Sequence, residues 1–131
     1  MIGIDTNVLL RYLTRDDARQ SAVAARFITS LRPDAQGHIA LITVAELVWV
    51  LKSRYRASAA ELSGTVLQLL SDDRFVVQDP PSLWLALDEV ERSNVDLADA
   101  LIAFVNLQQG CSHTVTFDRK ALRIPGMALL Q

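Results

Sequence analysis

Five short apolar runs recur along the chain, and none is long enough to be anything but a brief strand: Met1–Asp5, His38–Ile42, Phe75–Val77, Thr114–Phe117 and Met127–Leu130. Between them lie segments with helical spacing. Asn7–Thr14 reads as a short helix, and Asp16–Leu31 as a longer one with Ala18, Ala22, Ala25 and Ile28 on one face and Pro33 beyond its end. Thr43-Val44-Ala45-Glu46 has the form of a capping box and predicts a helix to about Tyr55. Ser58-Ala59-Ala60-Glu61 repeats the form and opens another, to about Ser71. Pro80 starts a helix to Glu91, and Asp96 starts one that runs to Gln109 and stops at Gly110. A short turn of helix follows Asp118. Strands alternating with helices at this spacing require an α/β fold with a mostly parallel central sheet flanked by helices.

A chain of 131 residues, half of them apolar, suits a single domain over Met1–Gln131. Cys111 is the lone cysteine, so no internal disulfide forms, and a reducing, cytoplasmic setting is expected. The N-terminus lacks the basic start of an export signal, and the longest apolar stretch, Leu41–Leu51, is too short for a bilayer and contains Glu46. No membrane partner is expected. The net charge of −2 looks unfavourable for nucleic acid. If five acids serve one cation, however, ten remain against thirteen bases, and eleven of those bases are Arg, whose planar fork suits phosphate.

In parallel α/β sheets ligands bind beyond the carboxyl ends of the strands. Asp5 directly follows the first strand and Asp118 the fourth. Glu46 falls in the first turn of the helix after the second strand, and Asp99 in the first turn of the helix that Asp96 opens. These acids are therefore expected to share one rim. Two unit charges about 4 Å apart repel by roughly 4 kcal/mol at an effective dielectric of 20. A hard divalent cation relieves that repulsion, and oxygen-only donors select Mg²⁺ or Mn²⁺ over Zn²⁺. His38, His113 and Cys111 supply a zinc site poorly. The chemistry suggested is metal-assisted phosphodiester hydrolysis, with the metal activating a water.

Each acid also has an ordinary structural explanation. Glu46 can complete its capping box, Asp96 and Asp99 can cap and charge a helix N-terminus, and Asp118 can hold a turn before Arg119. Asp5 is the hardest to explain away, since no cap or pair for it is visible in the sequence. Thr6 and Asn7 are read as helix-capping residues that also support a site carboxylate, and Thr116 as a hydroxyl on the same side as Asp118. On the helix after Asp96, Leu97, Leu101, Phe104 and Val105 form the buried stripe, leaving Asp96, Asp99 and Asn106 on another face.

With these residues in place a resemblance becomes specific. Ile4-Asp5-Thr6-Asn7-Val8-Leu9-Leu10-Arg11-Tyr12-Leu13 is similar to the opening of PIN-domain toxins of the VapC kind. Thr43 to Leu51 resembles their second motif, Val95 to Ala103 the third and Thr116 to Ala121 the fourth. The resemblance implies a PIN-like three-layer sandwich and a Mg²⁺-dependent endoribonuclease. Its catalytic, metal-holding acids would be Asp5, Glu46, Asp99 and Asp118, with Asp96 as a less constant fifth metal ligand. It further implies an RNA substrate, homodimerisation and inhibition by a small cognate antitoxin protein. Residues 57–94 carry no motif.

Lys52, Arg54 and Arg56 follow the Glu46 helix, and Arg119, Lys120 and Arg123 follow Asp118, which makes them candidates for RNA phosphates. Trp49 and Trp84 fall within apolar helical segments and are expected in the core, with a partner surface as the alternative. The helices bearing Leu9, Tyr12, Leu47 and Val50 are the expected antitoxin groove. Three rivals compete with the toxin reading. One is a PIN nuclease of RNA processing or decay, disfavoured because nothing in the chain adds an RNA-binding domain. Another is a receiver domain with Asp79 as phosphoacceptor, which leaves Glu46 and Asp99 without a task. The last is a non-catalytic binding module, against which the full acid set argues.

Overall fold

In the computed structural model, which describes all of Met1–Gln131, the elements run in the expected order: six α-helices, five strands and one 3₁₀ turn. The chain forms two compact units. The first holds Met1–Arg56 and Thr65–Gln78, the second Ala57–Gly64 and Asp79–Gln131. Every strand pairing is parallel. The single sheet expected from sequence is here a three-stranded sheet in the first unit and a two-stranded one in the second.

The first unit is built on strands β1 (Ile2–Gly3), β2 (Gly37–Ile39) and β3 (Phe75–Val77), in that order across the sheet. Gly37 pairs with both Ile2 and Phe75. A Cβ there would clash with Ile4 Cδ1, so any larger residue requires the Ile4 side chain to move. Helix α1 (Thr6–Thr14) follows β1, and α2 (Ala18–Ser30) packs against α1. The apolar face expected on α2 was misjudged. Ser21, Ala24 and Ile28 are buried, while Ala18 and Ala22 are exposed. The helix starts two residues later than expected because Asp17 caps it, its side chain accepting from Gln20 N–H at 2.9 Å.

Helix α3 (Leu41–Ser53) also departs from expectation. Pairing of β2 with β3 ends at Ile39↔Val77, so Leu41 and Ile42 leave the sheet and open the helix instead of extending the strand. Ala40 is the N-cap and lends no side chain. The orphan Leu41 N–H donates to Gln78 Oε1 at 2.8 Å, a cap from just past β3 that no local motif announces. The Thr43–Glu46 capping box is therefore absent, whereas the Ser58–Glu61 box is real. Glu61 N–H donates to Ser58 Oγ (3.1 Å) and Ser58 N–H to Glu61 Oε1 (3.0 Å), opening α4 (Ala59–Ser71). Leu9 of α1, Ile28 of α2, Ile39 of β2 and Leu47 of α3 are fully buried together with Val44. Each large side chain so buried contributes about 1.5–3 kcal/mol.

The second unit contains α5 (Pro80–Ser93), α6 (Leu97–Gln108), β4 (Thr114–Thr116) and β5 (Met127–Leu129). Asp79 caps α5, with Pro80 and Pro81 in its first turn. Helices α5 and α6 pack together, with Leu83, Ala86, Ala100 and Leu101 buried. The stripe expected on α6 holds at Leu97, Leu101 and Phe104, while Val105 is half-buried. No helix is long and apolar enough to cross a membrane.

The far end of α1 is held by one carboxylate. Asp16 accepts from Arg11 Nη1 (3.0 Å) and Thr14 Oγ1 (3.1 Å) on α1, and from the Tyr55 hydroxyl just beyond α3. The Tyr55 hydrogen bond is the main cause that holds Asp16 below its ordinary value of 3.8; desolvation opposes it, and the Thr14 hydrogen bond and the Arg11 charge add to the lowering. A depressed folded pKa stabilises above the unfolded value and ceases to do so as pH falls through the folded one. Tyr55→Phe is therefore expected to lower the Tm at neutral pH, on the order of a few degrees. The gap from wild type should close as melts are taken below pH 3.8. A gap that persists unchanged at about pH 2 would show that Tyr55 acts by packing alone.

Candidate metal and nuclease site

Two of the predicted acids belong to the first unit. Asp5 lies two residues past β1 and is the N-cap of α1, its Oδ1 accepting from Thr6 N–H at 2.8 Å. The local task that the sequence did not reveal thus exists, and it belongs to Asp5 itself. Thr6 and Asn7 are the first helical residues, Thr6 buried and Asn7 exposed, so neither caps the helix as expected. Asp5 is exposed, and its second carboxylate oxygen stays open. Glu46 is the sixth residue of α3, a turn further in than expected. It is exposed and makes no hydrogen bond or ion pair, so the capping explanation for it falls away.

The other three belong to the second unit. Asp96 is the N-cap of α6, accepting from Asp99 N–H at 3.0 Å, and both residues are half-buried. On the same helix Asn106 donates from Nδ2 to Thr114 Oγ1 of β4 at 3.0 Å, so it supports the strand rather than an acid. Asp118 lies two residues past β4 and caps the 3₁₀ turn Arg119–Arg123, accepting from Lys120 N–H at 2.9 Å. The Thr116 hydroxyl accepts from the Asp118 main-chain N–H at 3.0 Å, holding the backbone of that acid instead of its carboxylate.

The five donors are all carboxylates, which matches the preference of a hard divalent ion. Within neither unit do three His, Cys, Asp or Glu side chains gather into a ready metal cage. Three of the five share one local design: Asp5, Asp96 and Asp118 each cap a helix or turn. There the positive end of the peptide dipoles favours an anion, by about 0.3–1 kcal/mol at an exposed site. The residues expected to hold phosphates, Lys52, Arg54, Arg56, Arg119, Lys120 and Arg123, are all exposed. Arg56 adopts a left-handed backbone, φ 54°, that ends the chain's run out of α3.

The PIN domain family matches residues 2–127. The chain belongs to the PIN domain family. No curated protein matches it. PIN domains act as nucleases, so this PIN domain is assigned to hydrolysis of nucleic acids, and its parallel α/β fold is the one expected. The receiver-domain rival has no standing beside that match, and Asp79, its phosphoacceptor, has a structural task as the cap of α5.

One sequence expectation about the rest of the PIN domain is corrected. Trp49 is 67% and Trp84 46% exposed, so neither is a core residue. Each sits on the outer side of a helix whose opposite side already fills the core. Leu9 and Leu47, which mark two of the helices expected to form an antitoxin groove, are fully buried, so those helices can meet a partner only through other side chains. Sequence reading also missed Arg11, Arg19 and Gln20, which line a groove beside α1 and α2. The signal was available: Arg11, Arg15, Arg19 and Arg26 crowd one short segment, and nine of the thirteen bases fall in the first unit against seven of the fifteen acids.

The cap geometry separates two variants of Asp118. Asn also accepts at an N-cap, so Asp118→Asn should keep the cap and lose at most the dipole's preference for the charge, about 0.3–1 kcal/mol, melting close to wild type in EDTA. Asp118→Ala should cost about 1 kcal/mol, the usual loss for a capping side chain. A marked drop in the Tm of the Asn variant would mean that the carboxylate charge itself stabilises the turn.

Proposed function

We propose that this PIN domain is a Mg²⁺-dependent endoribonuclease, the toxin of a bacterial toxin–antitoxin pair, acting in the cytoplasm, with Mn²⁺ able to replace Mg²⁺. Glu46 is the observation that supports the reading best. Within the second family-like motif, Glu46 is an exposed carboxylate with no hydrogen bond or ion pair, so its oxygens are uncommitted and available for chemistry. The single-domain reading of Met1–Gln131 belongs to the same proposal, since one family match runs through both units.

Asp5, Glu46, Asp99 and Asp118 would hold the ion, with Asp96 as a fifth ligand. When bound, it would supply neutralisation of phosphate charge and acidification of water. Hydrolysis adds water across a P–O bond, so one proton must leave the attacking water and one must reach the departing oxygen. Glu46 is assigned to take the first, because its carboxylate is not committed to a cap. Asp5 and Asp118 keep one oxygen each on a main-chain N–H, which restrains the carboxylate plane for ligation. Thr6 and Thr116 support those acids through main-chain hydrogen bonds, and Asn7, next in the chain, would add its carboxamide. Lys52, Arg54, Arg56, Arg119 and Lys120 would hold flanking phosphates.

Partner binding accords with the exposed apolar side chains of α3. Ile42 and Trp49 stand seven residues apart on one face, 77% and 67% exposed, and single-chain proteins seldom leave such a pair to water. A homodimer or a cognate antitoxin would cover it, with Trp49 as a natural anchor.

Asp5→Asn and Asp99→Asn are each expected to reduce RNA cleavage by roughly 100-fold or more while circular dichroism stays native. EDTA should abolish wild-type cleavage, and Mg²⁺ or Mn²⁺ should restore it. Undiminished cleavage in EDTA would remove the metal mechanism. In cells, induction of the wild-type chain alone should arrest growth, the Asp5→Asn variant should not, and the product of an adjacent small gene should restore growth and co-purify. Unaffected growth with active enzyme would leave a nuclease of RNA processing or decay in its place.

A further inference from the structure

The hydrolysis described above leaves one built feature of the first unit without a task. A groove of about 560 Å³ lies along α1 and α2, inside the range of about 300–1,000 Å³ typical of small-molecule sites. Val8, Val23 and Phe27 make most of its lining apolar. Its polar side chains are Asn7, Arg11, Arg19 and Gln20: two guanidiniums, two carboxamides and no acid. Arg11 is committed, with Nη1 on Asp16 at 3.0 Å and Nε on Gln20 Oε1 at 2.7 Å. That bond occupies the Gln20 oxygen and leaves its Nε2 hydrogens as donors. Arg19 is exposed and has no ion pair.

An apolar lining that includes one aromatic ring, a free guanidinium at the edge and amide donors complements a molecule with a flat π-face and an anion next to it. A nucleotide has that pairing. A peptide could use the apolar lining equally, but it would leave Arg19 unneutralised unless it were acidic. The position agrees as well, because Ile4 and Asn7 line the groove and bracket Asp5 in the chain. We propose that the α1–α2 groove is a nucleotide subsite for single-stranded RNA. An unpaired base lies against Val8, Val23 and Phe27, Gln20 donates to its edge, and Arg19 holds a phosphate. Only an unpaired base can leave its stack to enter such a groove, which restricts the substrate to loops and single strands. The inference rests on the nuclease reading and deepens it.

The test is binding, in EDTA, of a fluorescent 2′-O-methyl RNA octanucleotide of mixed sequence, followed by anisotropy. Val23 is 52% exposed, so Val23→Glu is expected to fold and to set a carboxylate in the groove. It should weaken binding at least tenfold. Arg19→Ala should weaken it about threefold and make the log–log salt slope shallower by about 0.7, as expected for one lost phosphate contact on a single strand. Arg26→Ala, on α2 but outside the groove, should match wild type. An abasic site in the probe should weaken wild type and leave Val23→Glu unaffected. If Val23→Glu does not fold, the salt slope of Arg19→Ala decides. Equal affinity of wild type and the groove variants for the octanucleotide overturns the subsite, as does equal affinity with loss of binding to an acidic, aromatic peptide. A wild-type chain that neither binds the octanucleotide nor cleaves RNA overturns the nuclease reading, and the subsite falls with it.

Discussion

A parallel strand of three residues is held only by what covers it. It makes few ladder bonds, it cannot close through a hairpin, and its neighbour must be reached through a crossover helix. In the first unit that requirement determines nearly everything else. β2 is flanked by β1 and β3, and the helices after β1 and β2 start at the carboxyl ends of those strands. Burial of Leu9, Ile28, Ile39 and Leu47 then locks helix to strand. The consequence for chemistry is positional. A residue just past a strand is also a residue just before or within the first turns of a helix, and that is where Asp5, Glu46 and Asp118 lie.

The structural and the catalytic explanations of these acids are therefore not alternatives. An N-cap wants an oxygen acceptor in extended backbone beside unsatisfied N–H groups, and the helix dipole favours its charge. Asp5, Asp96 and Asp118 meet that need. A capping carboxylate uses one oxygen and retains another, and its plane is already restrained. The same local solution that ends a strand and begins a helix thus leaves one oxygen of a restrained carboxylate available, as the proposed metal role requires. Glu46 differs. It caps nothing, and the N-terminus of its helix is satisfied from elsewhere by Gln78.

Polar side chains at the opposite end of α1 perform the complementary task. Asp16 gathers Arg11, Thr14 and Tyr55 and so joins the end of α1 to the residues after α3. Arg11 in turn engages Gln20 on α2. The helix that starts at one proposed catalytic acid is thereby fastened at its far end to the helix that carries another, and to the helix that lines the proposed nucleotide groove. Asp72 and Arg74 make a comparable two-pronged bond before β3, and Arg74 also reaches the Ile28 carbonyl and lies 5.9 Å from the Phe75 ring. Surface ion pairs of this kind add little energy singly, and their value is in geometry.

The alternation of short β-rich runs with helical periods determined the α/β class, the parallel strands and the order of every element, because those follow from local pattern and the length of the connections. Membership of the PIN domain family was equally legible in the residues themselves. What failed was whatever depended on a neighbour distant in sequence. The end of β2 is decided by where β3 stops pairing, so Leu41 and Ile42 became helix although they are as strand-like as His38 and Ile39. The start of α3 is decided by a glutamine 37 residues away, so a well-formed capping box at Thr43–Glu46 goes unused. Trp49 reads as core in an apolar helix, and only the packing of the opposite face reveals that the core is already full. Local propensity sets what a segment prefers, whereas burial and long-range hydrogen bonds set which of its atoms remain free, and function is left to those atoms.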